Sequence, residues 1–207
     1  MQLNKKIKTT MSLAAAMGSL ATSANAAVIF TESFEDPNIS TDPNGETDII
    51  PTGWVEAGQG GLNHGPNMGK FSTPFGDQAA WINNGTLTTT ATILSDVLTA
   101  GTTYTLSFNV AKRTDLGGSY EVRLLAGTTV LDTVTGSMTQ TDMSESDGFV
   151  FTPDGSHAAL LGQTLAIQLA GSVQPHYDNV ILTAVPEPST TALLGLGGLA
   201  LILRRRK

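Results

Sequence analysis

Between residues 104 and 110 the chain alternates without exception: Tyr104, Leu106, Phe108 and Val110 are apolar, and Thr105, Ser107 and Asn109 between them are polar. That period of two predicts a strand with one face on a core. Tyr120, Val122 and Leu124 alternate with Glu121 and Arg123, Gly127 supplies a turn, and the run 130–134 returns, which predicts a hairpin. Further strands are predicted at 28–34, 79–82, 87–94, 149–152, 165–170 and 177–183. Clusters of Gly, Pro, Asn, Asp and Ser separate them, and no window between them carries a helical stripe. No segment repeats at a fixed period, which argues against a propeller or solenoid. The expected architecture is all-β, a two-sheet jelly-roll sandwich of eight or nine short strands.

Both ends break the pattern. An apolar run at 11–21 follows Lys5, Lys6 and Lys8 and precedes Ala24-Asn25-Ala26, the charge, grease and small-x-small order of a secretory signal peptide. At the other end Val185-Pro186-Glu187-Pro188-Ser189 leads into an apolar run at 192–203 and then Arg204, Arg205, Arg206 and Lys207. As a helix that run would rise about 18 Å, short of the ~30 Å hydrocarbon core, so it is at best a temporary anchor. The cations would hold the tail's end on the cytoplasmic side and leave the body outside. Pro186 and Pro188 cannot continue a helix, so an extended linker open to a processing enzyme is expected there. The expected organisation is a signal helix at 1–26, a β-sandwich domain at 27–184 and a sorting segment with a short hydrophobic helix at 185–207.

This three-part tail resembles the PEP-CTERM sorting signal of bacterial surface and exopolysaccharide-associated proteins, also catalogued as the ice-binding protein C-terminal domain. The resemblance implies export, transient anchoring in the inner membrane, and cutting near Pro186-Glu187-Pro188 by an exosortase-type processing enzyme. The destination it implies is the cell surface or extracellular matrix of a Gram-negative bacterium; an ordinary C-terminal anchor is the alternative. Within the body, Phe34-Glu35-Asp36, Pro51-Thr52-Gly53-Trp54, Gln78-Ala79-Ala80-Trp81 and Tyr177-Asp178-Asn179-Val180-Ile181-Leu182 look like the galactose-binding-domain-like jelly roll. Many members of that superfamily are non-catalytic carbohydrate-binding modules. The likeness implies a structural Ca²⁺ that clips the first strand region to the last, at Glu35 and Asp178.

Charge sharpens the picture. Between 27 and 184 there are four basic and seventeen acidic side chains, a formal charge of −13 against −7 for the whole chain. Such a surface repels nucleic acid and favours cations. Cysteine is absent, so neither disulfides nor thiolate metal sites are available. Asp178 alternates in step with Val180 and Leu182, and a carboxylate on a buried face needs a cation, a backbone N–H or a partner such as Arg123. In the loop 36–48, Asp42, Asn44, Glu46 and Asp48 form a partial EF-hand pattern that a solvated acidic turn explains equally well. For ligand contact the candidates are Trp81, Tyr120 and His64, with Arg113 as a polar partner. Trp81 sits in an apolar run and Tyr120 keeps step with Val122, so both also read as core, and His176, next to Tyr177 and Asp178, reads as a surface residue or as a neighbour of the metal loop. No G-x-S-x-G elbow, H-E-x-x-H pair or cysteine nucleophile is present. The expectation is therefore not an enzyme but an exported, exopolysaccharide-associated module, the alternative being a structural or adhesive surface protein with protein partners.

Overall fold

Ten strands run through the residues that the computed structural model describes, which are 25–42, 45–64 and 75–187. They are β1 (Ala27–Glu32), β2 (Glu46–Thr47), β3 (Trp54–His64), β4 (Gln78–Thr89), β5 (Thr102–Ala111), β6 (Ser119–Ala126), β7 (Thr129–Ser137), β8 (Glu145–Phe151), β9 (Leu165–Ser172) and β10 (His176–Pro186). Every pairing is antiparallel, and the strands form the jelly roll expected from the alternation. Tyr104, Leu106, Phe108 and Val110 all face the core, and β6 and β7 make the expected hairpin with Gly127 in the left-handed region at its turn.

The sandwich closes because β3 and β4 belong to both layers. The first part of β4 lies between β3 and the start of β10, and Gly85–Thr88 instead pair with β9. The sequence pattern splits β4 into two strands; the structure runs through Asn83 and Asn84, where Asn84 adopts φ +52° and bends the strand from one sheet into the other. Past Thr89 the expected strand gives way to a turn held by Thr90, whose carbonyl accepts from Ile93 N–H. One layer carries β1, β10, β5 and β8, the other β9, β6 and β7. Between them Phe108 meets Tyr120 edge-on and tilts against Tyr177, with Leu62, Ile82, Leu87, Val122, Leu169 and Leu182 filling the rest.

β3 is the strand that composition hides. Gly58, Gly60 and Gly61 read as loop, yet they are strand glycines because neighbouring backbones lie on them: a Cβ on Gly61 would sit 2.0 Å from the Thr47 carbonyl oxygen. The only regular helix among the described residues is a 3-10 turn, Gly155–Leu160, capped by Asp154.

At the C-terminal end β10 continues to Pro186, which pairs with Thr102. The extended linker expected to start at Val185 is thus, for its first two residues, part of the sheet. Ala26 directly precedes β1, while Ala24, Pro188, Arg204, Arg205, Arg206 and both predicted terminal helices lie outside the described residues. No helix among the described residues is long and apolar enough to cross a membrane.

Candidate functional site

The layer containing β10 has a second buried face, turned away from the core. Register places Trp81 opposite both Gly61 and His176, with His176 opposite Ala111, and one step along come Asn63, Ala79, Asp178 and Asn109. Leu62, Ala80, Tyr177 and Val110, the residues between them, are core. On the far face Ala79, Ala111 and Met143 form a small apolar cluster of their own, and Asn63, His176 and Asp178 beside it are each 0% exposed. Burying so many polar groups costs free energy unless they are engaged, which makes this face unlike a packing surface.

Most of them are engaged. Asn63 Nδ2 lies 3.2 Å from His176 Nε2, Asn109 Nδ2 donates to Met143 O at 2.8 Å, and Asn179 Nδ2 donates to Asn109 Oδ1 at 3.0 Å. Trp81 Nε1 donates to Thr47 O at 3.1 Å, which fixes the indole under β2. At the margin Gln174 donates to Glu46 Oε1 at 2.7 Å and accepts from Arg113, whose Nε also holds Asp115 at 2.7 Å. Gln174 reaches that position through two successive left-handed residues, Val173 at φ +64° and Gln174 at +56°. A β-branched residue rarely accepts such a conformation, and strain of this kind collects where a side chain must be aimed. Asn63 Oδ1 and His64 Nδ1 are buried without a partner.

Asp178 carries the buried carboxyl of this face. Its Oδ2 accepts from Phe75 N–H and its Oδ1 from Asn179 N–H, both at 2.7 Å. Burial pushes its carboxyl up to about 7; the two backbone hydrogen bonds pull against that, and repulsion from Glu35 and Glu32 adds to it. Glu35 Oε1 accepts from Asp77 N–H at 2.8 Å and Gln78 N–H at 3.0 Å, and it fits only because residue 76 is glycine: a Cβ there would lie 2.2 Å from that oxygen. Glu32 accepts from Phe34 N–H and Trp54 Nε1. Three carboxylates thus approach one another at the junction of the first loop and the last strand. Among the described residues no set of three or more His, Cys, Asp or Glu side chains is arranged to hold a metal ion. Glu35 and Asp178 alone offer at most four oxygens, where Ca²⁺ takes about six to eight.

The other expected site residues separate. Trp81 lies in the polar face but is 5% exposed, so its ring is a wall rather than an open platform, and Arg113 stands at the margin of the same face. Tyr120 is on the core side, its ring against Phe108 and its hydroxyl on Asp147, and burial pushes its phenol well above the usual range. His64 closes β3 opposite Gln78, on the strand side turned away from Asn63. His176, read as a surface residue, is fully buried. In the loop 36–48 Glu46 serves Gln174 rather than an EF-hand pattern, and Asn44 lies outside the described residues. The expected step of Asp178 with Val180 and Leu182 breaks at Asn179, where φ +48° and a register shift put Val180 and Leu182 in the core and leave Asp178 on the other face with His176; Asn63 is hidden from the sequence in a glycine-rich stretch.

A chain with this fold and a buried carboxyl on a polar face has relatives that carry out chemistry. The HpiC1 cyclase model matches residues 25–183. The chain belongs to the HpiC1 cyclase family. That membership corrects the expectation of a non-catalytic module, which rested on the absence of short catalytic motifs; a reaction centre assembled from single residues on separate strands leaves no such motif. A cyclase from Fischerella sp., solved in apo form, is 27% identical, covers 78% of this chain and 98% of its own, and has a TM-score of 0.63. A cyclase from Fischerella sp. TAU is 25% identical over 79% of this chain and 99% of that one, at 0.64. A structure of a cyclase from the same source in complex with 4-(1H-indol-3-yl)butan-2-one is 25% identical over 75% and 95%, at 0.61. No curated protein matches the chain. The PEP-CTERM protein-sorting motif matches residues 184–207, so the cyclase-family body carries the tail of an exported, sorted protein.

Proposed function

We propose that this exported protein is a cyclase acting on a small unsaturated ligand, with the Trp81, His176 and Asp178 face as its reaction centre and Asp178 as proton donor. The observation that carries the reading is a fully buried carboxyl, pushed up to about 7, beside an indole wall and the apolar cluster of Ala79, Ala111 and Met143. Such an acid is protonated often enough near neutrality to donate and regains its proton readily. The step balances as an isomerisation. The Asp178 proton goes to an alkene carbon, the cation so formed is captured by a nucleophilic ring carbon, and that carbon's proton returns to the carboxylate. Trp81 and Met143 enclose the apolar part of the ligand and exclude water.

The indole-bearing ligand of the Fischerella sp. TAU cyclase makes alkenyl-substituted indoles the first compounds to try. Incubated with the exported protein, one of them is expected to give a product of unchanged mass that has lost its alkene proton signals. Asp178→Asn is expected to abolish conversion while the protein stays folded, and conversion should fall as pH rises through about 7, because the donor must be protonated. An Asp178→Asn variant as active as the parent would remove Asp178 from the mechanism.

Calcium at Glu35 and Asp178 is the rival assignment of this carboxylate, favoured by the mutual repulsion of Glu32, Glu35 and Asp178. It predicts a melting temperature that rises with added Ca²⁺ and an Asp178→Asn variant that ignores it. Retention by extracellular polysaccharide is a second reading of the protein's role after export. It is favoured by the hydroxyl-bearing outer face of β6, β9 and β4, and co-sedimentation of the exported protein with native polysaccharide tests it.

A further inference from the structure

On the outer side of the second layer Glu121, Ala170, Thr86 and Ala57 stand in one row across β6, β9, β4 and β3. The next row is filled and satisfied. Arg123 donates to Gln168 Oε1 at 2.5 Å, Gln168 Nε2 donates to Thr88 Oγ1 at 3.0 Å, and Arg123 Nε returns to Glu121 at 2.8 Å. In the first row two methyl groups stand where the neighbouring row has Gln168 and Val55, and the surface sinks into an open groove of about 460 Å³ with Ala170, 7% exposed, at its floor. Ser119 and Ser172, whose hydroxyls lie 3.2 Å apart, border one end.

The other end is built by a bulge. β3 and β4 shift register between Ala57 and Gln59, Gly58 takes φ +104°, and a Cβ on Gly85 would lie 2.7 Å from both Ala57 O and Gln59 N. The two backbones touch where no side chain fits, and Asn84 is turned onto the rim. Bulges that re-aim a side chain beside a depression are features of binding sites more often than of plain packing surfaces.

The chemistry of the groove narrows its ligand. The groove floor is the face of four strands paired side by side, so a ligand there lies across side chains rather than adding a strand. Its lining has no aromatic ring and no large apolar side chain. Its one carboxylate, Glu121, is paired with Arg123, so in a body of charge −13 this patch is close to neutral. What it presents is hydroxyls and an amide, groups that both donate and accept.

We infer that this groove binds a neutral linear oligosaccharide. The inference rests on the polysaccharide-retention reading and is independent of the Asp178 site. The test is calorimetric titration of the exported protein with cellohexaose, xylohexaose and maltohexaose, alongside co-sedimentation with native polysaccharide. At least one hexasaccharide is expected to bind with Kd below about 1 mM, and Ala170→Trp, which fills the groove from its open side, to weaken it about tenfold or more. Ser119→Ala with Ser172→Ala, which removes hydroxyls without adding bulk, should weaken it about fivefold and keeps the test valid if the tryptophan variant fails to fold. Binding, to a hexasaccharide or to native polysaccharide, that both sets of variants leave unchanged would overturn the groove while sparing the retention reading. Absence of all binding by the parent protein would overturn both.

Discussion

Burial, more than the neighbouring charges, pushes the Asp178 carboxyl up to about 7. A bulge at Asn179 parts Asp178 from Val180 and Leu182 in the core and leaves its carboxyl buried on the opposite face of the layer, where repulsion from Glu35 and Glu32 adds to the effect of burial. A stability signature follows. The folded carboxyl holds its proton up to about 7, against 3.8 ordinarily, so its contribution is whole below about pH 4 and is lost as pH rises through about 7. In EDTA the parent protein is expected to lose on the order of 4 kcal/mol of unfolding free energy between pH 4 and pH 8 relative to Asp178→Asn. Denaturant titrations at several pH values check this, and parallel curves for the two proteins would contradict it. That a buried acid lay on the last strand could be read from the sequence, since polar and apolar residues cannot share a covered face without consequence. His176, two residues earlier on the same strand, shares that face, whereas Asn63 joins it only because β4 and β3 lie beside β10, which the sequence does not display.

The strands themselves show the same divide. β5, β6 and β9 announce themselves by period, because each has one face on the core and the other on something polar, while β10 keeps its period only on either side of the bulge at Asn179. β3 does not, since its glycines are required by close backbone contacts that only the folded pairing creates. Gly61→Ala is therefore expected to drive β2 off its neighbour, cost about 1–3 kcal/mol and shift tryptophan emission to the red as Trp81 loses its cover. Gly117→Ala, where a Cβ meets nothing within 4 Å, serves as the control and should leave emission unchanged. The end of β10 makes a prediction of another kind. Val185 and Pro186 are paired with Thr103 and Thr102, and a protease needs its substrate extended and unpaired. The mature C-terminus, read by mass spectrometry of exported protein, is expected at Pro186 or beyond; a terminus before Val185 would show that the strand end opens.

The chain as a whole joins two things that its sequence displays very unequally. The sorting tail is local, carried by adjacent residues, and is evident on inspection. Membership of a cyclase family is distributed over 25–183, and it overturns the expectation of a non-catalytic body because a likeness spread over a whole domain leaves no short motif to display it. The proposed function rests on the Asp178 carboxyl, which burial pushes up to about 7. Its protonation can be followed directly by the ¹³C shift of the Asp178 carboxyl carbon during a pH titration of the exported protein in EDTA. A midpoint near 7 is the predicted result, and a midpoint at or below about 4 would contradict it.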